Sequence, residues 1–297
     1  MKKQELKSNI LLLITATIWG MAFVAQKVGA KYIGPFAFNG VRFALGGISL
    51  IPLLLYFNKA PNQNINNYNK SYNFITPGII TGCVLFFGVS FQQIGLNYTS
   101  AGKAAFITGL YIVFVPIISI FLKRNTPVIT WISVTITAIG LYFLSVNENF
   151  SISQGDLLEI IGAFFWAIHI LLIDRFIKKV DGLKLSFVQI LTCSILSMTV
   201  SLIFEKTNIH NLYGAIIPIL YGGIFSVGIA YTLQILGQRH AKPSHAAIIL
   251  SMESVFATIG GMIILSETLQ LREYLGCFLM MSGMLLSQLS NFGSAKS

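Results

Sequence analysis

Apolar residues run along this chain in blocks of about 20, the length of helix that spans the ~30 Å hydrocarbon layer of a bilayer. The blocks begin near residues 10, 36, 75, 101 and 127, and again near 157, 184, 212, 243 and 271. Between the fifth and the sixth lies a polar seam, Asn147 to Asp156, which holds two acids and neither Lys nor Arg. If each block crosses a membrane once, an odd number of crossings per half inverts the second half relative to the first. Two inverted halves joined by a short outer loop form a transporter architecture. The pattern predicts an all-α integral membrane protein of ten transmembrane helices, a 5+5 inverted repeat with halves at 1–150 and 151–297.

Local signals sharpen the blocks. Pro35, Pro77, Pro127 and Pro243 stand at block starts, where the missing N–H costs a helix nothing. Pro116 lies inside the fourth block and predicts a kink there. Gly78-x-x-x-Gly82 in the third block favours close helix packing, within one chain as readily as between two. In the first block Thr15, Trp19, Ala22 and Gln26 share one helical face, and in the sixth Glu159, Gly162, Trp166 and His169 do the same. Polar stripes in membrane helices face the bundle or a cavity, because lipid does not satisfy their polar groups. The halves also register on one another: an offset of 147 lays Trp19 on Trp166, and an offset of 143 lays 101–141 on 244–284.

Composition agrees with the pattern. The chain is 55% hydrophobic and 10% charged, against roughly 25% charged for a soluble domain. Its net charge of +10 is a matter of topology. With the N-terminus inside, fourteen Lys and Arg fall in inner segments, five in outer segments (Lys27, Lys31, Lys103, Lys206 and Arg272), and Arg42 within a span. This bias places both termini in the cytoplasm of a multi-pass cell-membrane protein. It leaves no basic face for nucleic acid. Cys83, Cys193 and Cys277 fall in three different spans without metal-ligand spacing and read as packing residues. The first block is too long for a signal peptide and reads as an uncleaved first helix.

At this point the sequence resembles the drug/metabolite transporter superfamily, specifically its EamA-type ten-helix members, from Ile10 to about Leu289. Trp19-Gly20, Val41-Arg42-Phe43 and Tyr98-Thr99-Ser100-Ala101 carry the resemblance in the first half. In the second half it rests on Ser251-Met252-Glu253-Ser254-Val255 and Ser266-Glu267. The resemblance implies a five-plus-five inverted repeat around a central cavity, alternating access, and movement of solutes, often export of amino acids or other metabolites, without ATP. Two departures stand out. Ser254 replaces a common Pro after the ninth-block Glu, which removes the reason for a kink there, and Lys123-Arg124 replaces a Gly-Glu pair ending the fourth block.

Candidate functional residues follow from polarity at depth. Glu253 lies near the middle of the ninth block, where an ionised acid costs roughly 2.5–3.5 kcal/mol on insertion scales. It is either a proton-coupling or ammonium-binding group, or a structural bond to a neighbouring helix, with Arg42 the natural charge partner. Trp19 and Trp166 either wall a cavity or fill the bundle core. His169 is either a proton relay or a hydrogen-bonded core residue. Gln26 and Gln92, with Gln93, are candidate solute partners or helix bridges, and Lys27, Lys103 and Arg272 are expected to snorkel to the outer interface.

The function these residues support is secondary transport of small organic metabolites such as amino acids, by rocking of the halves around a midplane site. Proton coupling would rest on Glu253. The chain has no P-loop, so ATP is not implied, nor is any cofactor or metal. A membrane-embedded enzyme acting on a lipid or amphipathic substrate is the alternative. Against it, Asp156, Asp174 and Asp181 all lie near helix ends, and HExxH and GxSxG are absent.

Overall fold

The computed structural model describes residues 2–59, 73–99, 101–123, 126–145, 153–206, 209–265 and 270–293, and every element in them is helical. The first block forms α1 (Lys2–Gly29), the second α2 (Pro35–Lys59) and the third α3 (Ile75–Gly95). The fourth is split into α4 (Ala101–Thr108) and α5 (Tyr111–Phe121), and the fifth is α6 (Val128–Ser145). The sixth and seventh are α7 (Gln154–Phe176) and α8 (Gly182–Phe204). The eighth is the most broken: α9 (Ile209–Gly214), α10 (Ile216–Leu220), a π-helix (Tyr221–Ala230) and α11 (Tyr231–Gln238). The ninth is split into α12 (Pro243–Leu250) and α13 (Glu253–Leu265), and the tenth is α14 (Leu271–Gly293).

Among the described residues, eight stretches are long and apolar enough to cross a membrane, while Val128–Phe143 and Tyr274–Leu286 are apolar but shorter. The bundle is polar inside and apolar outside. Thr15, Gln26, Arg42, Gln92, Gln93, Glu159, His169, Gln189, Gln234 and Glu253 are buried, whereas Phe121, Leu202, Phe204, Ile217 and Ile263 are exposed. A soluble monomer does not carry an apolar surface of that extent. This is a multi-pass membrane protein.

Sequence chemistry explains the boundaries. Ser153 caps α7 in a reciprocal capping box with Asp156, and Asp181 caps α8 through the N–H groups of Leu183 and Lys184. Pro243 opens α12. Pro77, expected to open its helix, is the third residue of α3, which begins two residues earlier at Ile75. Gly78 and Gly82 lie against α8: a Cβ on Gly78 would sit 2.5 Å from the Val188 side chain, and one on Gly82 2.8 Å from the Gln189 carbonyl. That motif packs within the chain.

The breaks depart most from expectation. The fourth block opens at Gly109–Leu110, and Pro116 lies inside the continuous helix that follows. The ninth opens at Ser251–Met252 although Ser254 is no proline. Both breaks are tightened turns. Leu110 N donates to Ile107 O (3.0 Å) and Ile112 N to Gly109 O (3.0 Å); Met252 N donates to Ile249 O (3.2 Å) and Ser254 N to Ser251 O (3.1 Å). Ser251 Oγ donates to the Ile248 carbonyl at 2.8 Å, supplying a partner that the interrupted ladder lacks. Ser254 Oγ donates to Ala105 O at 2.8 Å, so one broken helix is tied to the other. Gly109 and Met252 are 143 residues apart, the same offset at which the sequence registers on itself.

Candidate functional site

A cavity lies where the two broken helices meet. Trp19, Phe23 and Gln26 of α1, Arg42 of α2 and Gln92 of α3 line it on one side. Thr108 and Tyr111 flank the first break, Glu253 follows the second, and Trp166, Ser226, Tyr231 and Gln234 add to the wall with the apolar Ile170 and Leu250. The space is about 20 Å³, room for roughly one water molecule. The bundle is therefore closed down on its site.

The aromatic wall is one cluster. Trp19 and Trp166, matched by the internal offset, stand 5.9 Å apart between ring centroids. Tyr231 lies 4.9 Å from Trp19 and stacks on Trp166 at 6.1 Å. These are favourable aromatic separations. Each indole N–H is committed: Trp19 Nε1 to Ser226 O (3.1 Å), and Trp166 Nε1 to Gln92 Oε1 (2.9 Å). Gln92 then donates to Gln26 Oε1 at 3.2 Å, and Gln93 donates to the Gln26 carbonyl at 3.3 Å. The Trp166–Gln92–Gln26 chain fixes two candidate solute partners by side-chain hydrogen bonds.

Charge is placed differently from expectation. Glu253 Oε1 accepts from Tyr111 OH at 3.0 Å, and no ion pair joins it to Arg42. Arg42 Nε donates to Asn39 Oδ1 at 3.0 Å, and the guanidinium lies 5.4 Å from the Phe38 ring centroid and 5.1 Å from that of Phe43. Acid and guanidinium thus face one cavity, each partnered separately. Gln234 is wholly buried, lines the cavity, and has no hydrogen-bond partner for either amide atom among the described residues. A buried unpaired amide is costly; a bound solute that bonds to it would remove the cost.

Of the candidate solute and charge residues, Trp19, Gln26, Arg42, Gln92, Trp166 and Glu253 line this one cavity, and Gln93 and His169 do not. His169 stands behind the wall, bonded to Gln189 at 3.0 Å with its ring edge-on to Trp166. The three outer cations are anchored. Lys27 Nζ donates to Leu96 O (2.5 Å) and Thr99 O (2.7 Å), Lys103 pairs with Asp156 (2.7 Å), and Arg272 Nε donates to Phe143 O (3.3 Å). Thr108, Tyr111, Tyr231, Ser226 and Gln234 were not among the candidates. Tyr111, Tyr231 and Gln234 had a readable signal, a polar tip inside an apolar block, while Thr108 and Ser226 had none.

Comparison with known proteins fits this arrangement. The EamA-like transporter family pattern matches residues 6–146 and again 153–289. The chain belongs to that family. An uncharacterized transporter of Archaeoglobus fulgidus is 32% identical over 292 residues, covering 96% of this chain and 87% of that one. The uncharacterized transporter YoaV of Bacillus subtilis is 25% identical, with 91% and 92% covered. A solved crystal structure of a protein with 16% identity superposes at a TM-score of 0.78 over 95% of this chain and 98% of its own, a likeness of fold. As an EamA-like transporter, the chain acts on a small solute across a membrane. Of the resemblance carriers, Ser100, Ser266 and Glu267 lie outside the described residues, as do Arg124, loop residues 60–72 and seam residues 147–152.

Proposed function

We propose that this EamA-like transporter is a secondary exporter of small organic metabolites, amino acids among them. It works by alternating access of two inverted five-helix halves, 1–150 and 151–297, around the central cavity. Both termini face the cytoplasm of the cell membrane, and Glu253 is the proton-coupling group. The observation that carries this reading is the meeting of two interrupted helices at an aromatic and polar cavity. Broken helices around a midplane site recur in transporters built from inverted repeats. The family pattern falling once on each half supports the division, and the charge bias supports the orientation. Direction of export rests on the family resemblance.

The chemistry of the wall suits a solute with an apolar or flat body and a charged head. Trp19, Trp166 and Tyr231 offer the surface, Glu253 and Arg42 opposite charges, and Gln234 an unpaired amide. The test is a thermal-shift panel of amino acids, purine metabolites and organic cations on purified protein, followed by flux of each hit in proteoliposomes. A ligand at 100 times its Kd should stabilise by ~2.7 kcal/mol. Trp19→Ala and Glu253→Gln should each weaken the hit. Chemical conversion without flux would overturn transport in favour of the enzyme alternative. Flux indifferent to both substitutions would overturn the site.

A further inference from the structure

A second buried acid lies outside the cavity wall. Glu159 of α7 is wholly buried, and its Oε2 accepts from Thr108 Oγ1 at 3.0 Å. Its Oε1 has no hydrogen-bond partner among the described residues. The pocket is shaped around the carboxyl: a Cβ on Gly95 of α3 would stand 2.8 Å from Oε1 and 2.9 Å from Cγ. One turn toward the start of α7, Asp156 pairs with Lys103, whose side chain is 37% exposed. Thr108 and Tyr111 sit on either side of the first helix break, both face the cavity, and Tyr111 donates to Glu253. Glu159 therefore stands between the bundle end where α7 begins, expected to face outside, and the cavity that holds Glu253.

We infer that Glu159 is a second proton-binding site, through which Glu253 exchanges its proton with the outer solution. The inference rests on the transport reading above and adds a residue and a route to it. The Thr108 hydroxyl is the bridge, because it donates or accepts as its hydrogen rotates. In the outward direction it passes its own proton to the Glu159 carboxylate and takes one from the cavity side; in the inward direction both transfers reverse. Atoms and charge balance at each step, and the cavity has room for the water molecule that links Thr108 to Glu253.

The groups around Glu159 leave it a proton to hold. Asp156 on its own helix and Glu253 on α13 are acids, and each has a partner of its own, Lys103 and Tyr111. Lys103 of α4 is engaged by Asp156, and Lys27 of α1 by the Leu96 and Thr99 carbonyls. Tyr111 is engaged by Glu253, and Tyr98, just past α3, packs against Gly155. None of these bonds to the Glu159 carboxyl, whose one donor among the described residues is Thr108. A buried carboxylate with one oxygen unpaired is costly, and a proton on the group lowers that cost by removing the charge.

The test is infrared difference spectroscopy of the full chain in liposomes, following the protonated-carboxyl band after a step in outer pH. Glu253→Gln and Glu159→Gln assign the two bands. In Glu159→Gln and in Thr108→Val, the Glu253 band should respond about a hundredfold more slowly at unchanged final amplitude, and Glu159→Asp should recover most of the rate. Thr108→Val keeps the test alive if Glu159→Gln fails to fold. A Glu253 band that keeps its wild-type rate in either variant overturns the relay and leaves transport standing. A wild-type Glu253 that does not respond at all overturns both the relay and proton coupling.

Discussion

Gly20 is the position where one added carbon has the most predictable consequence. It follows Trp19 on α1 and lies against the start of α13. A Cβ there would stand 2.6 Å from the Glu253 carbonyl and 2.8 Å from the Ala257 nitrogen, and would also strike Phe256 Cβ. Carbon contacts settle near 3.5–4.0 Å, so α1 and α13 would have to part by about 1 Å. Two of the three obstacles are backbone atoms, so a change of side-chain rotamer gives no relief. Overpacking of this kind costs about 1–3 kcal/mol. A shift of that size also separates Trp19 from Glu253, which share the cavity wall. Gly102 provides the internal control, because a Cβ there meets nothing within 4 Å. Gly102→Ala should be neutral or stabilising by up to ~1 kcal/mol, as Gly→Ala in a helix generally is. The assay is reversible unfolding in mixed micelles, with ligand-induced stabilisation measured on the same samples. Equal stabilities for Gly20→Ala and Gly102→Ala would refute the close-packing argument.

Two further predictions test the breaks and the helix ends. Lys123, just after α5, has φ 54°, a conformation that costs a side-chain-bearing residue about 1–2 kcal/mol and glycine little; Lys123→Gly should stabilise by about 1 kcal/mol in the same unfolding assay. Ser254→Ala removes the bond to Ala105 that joins the two broken helices. It should cost ~0.6 kcal/mol, the usual worth of an interhelical bond in a membrane, and so fall below Gly20→Ala.

The membrane class, the order of the helices and six of the residues that line the cavity were legible because lipid imposes a strict rule. A polar side chain at depth must face inward, so Trp19, Gln26, Arg42, Gln92, Trp166 and Glu253 could be picked out by position and polarity alone. What stayed hidden depends on pairing across helices. Glu253 bonds to Tyr111 and not to Arg42, because the helix crossing sets which partner is in reach. Glu159 was visible as part of a polar face, but its role as Thr108's acceptor follows from the approach of α4 to α7. The breaks were misread for a related reason. Proline is the local breaker in sequence, yet α5 continues through Pro116 while the chain opens at Gly109–Leu110 and Ser251–Met252, beside the contact of Ala105 with Ser254. At the end of the fourth block, where the resemblance leads to the expectation of Gly, the backbone conformation was equally hidden in the sequence. Lys123 occupies the left-handed conformation that a glycine would favour.

A site of about 20 Å³ cannot admit an amino acid until one end of the bundle opens. At the end expected outside, the Glu205, Lys27 and Lys103–Asp156 ties each carry a charged group. Both oxygens of Glu205, at the end of α8, accept from the first turn of α2, at 2.9 Å from Phe36 N and 2.7 Å from Ala37 N. Lys27 and the Lys103–Asp156 pair add two more. At the opposite end the described residues include a Ser8–Gly237 bond, a His245–Asn9 bond at 3.1 Å and a Gln238–Ile170 bond at 3.1 Å. Charge-assisted bonds are roughly twice as strong as neutral ones, so the two Glu205 bonds are strong single ties at the outer end. The Glu205 carboxylate also faces the positive end of a helix. Glu205→Gln keeps a polar group there and loses the charge, about 1 kcal/mol of closure, which converts to roughly a fivefold larger outward-open population. Quenching of tryptophan fluorescence by a water-soluble quencher added outside the liposomes should rise accordingly. Unchanged outside quenching with unchanged stability would show that the Glu205 clamp does not set the closure of that end.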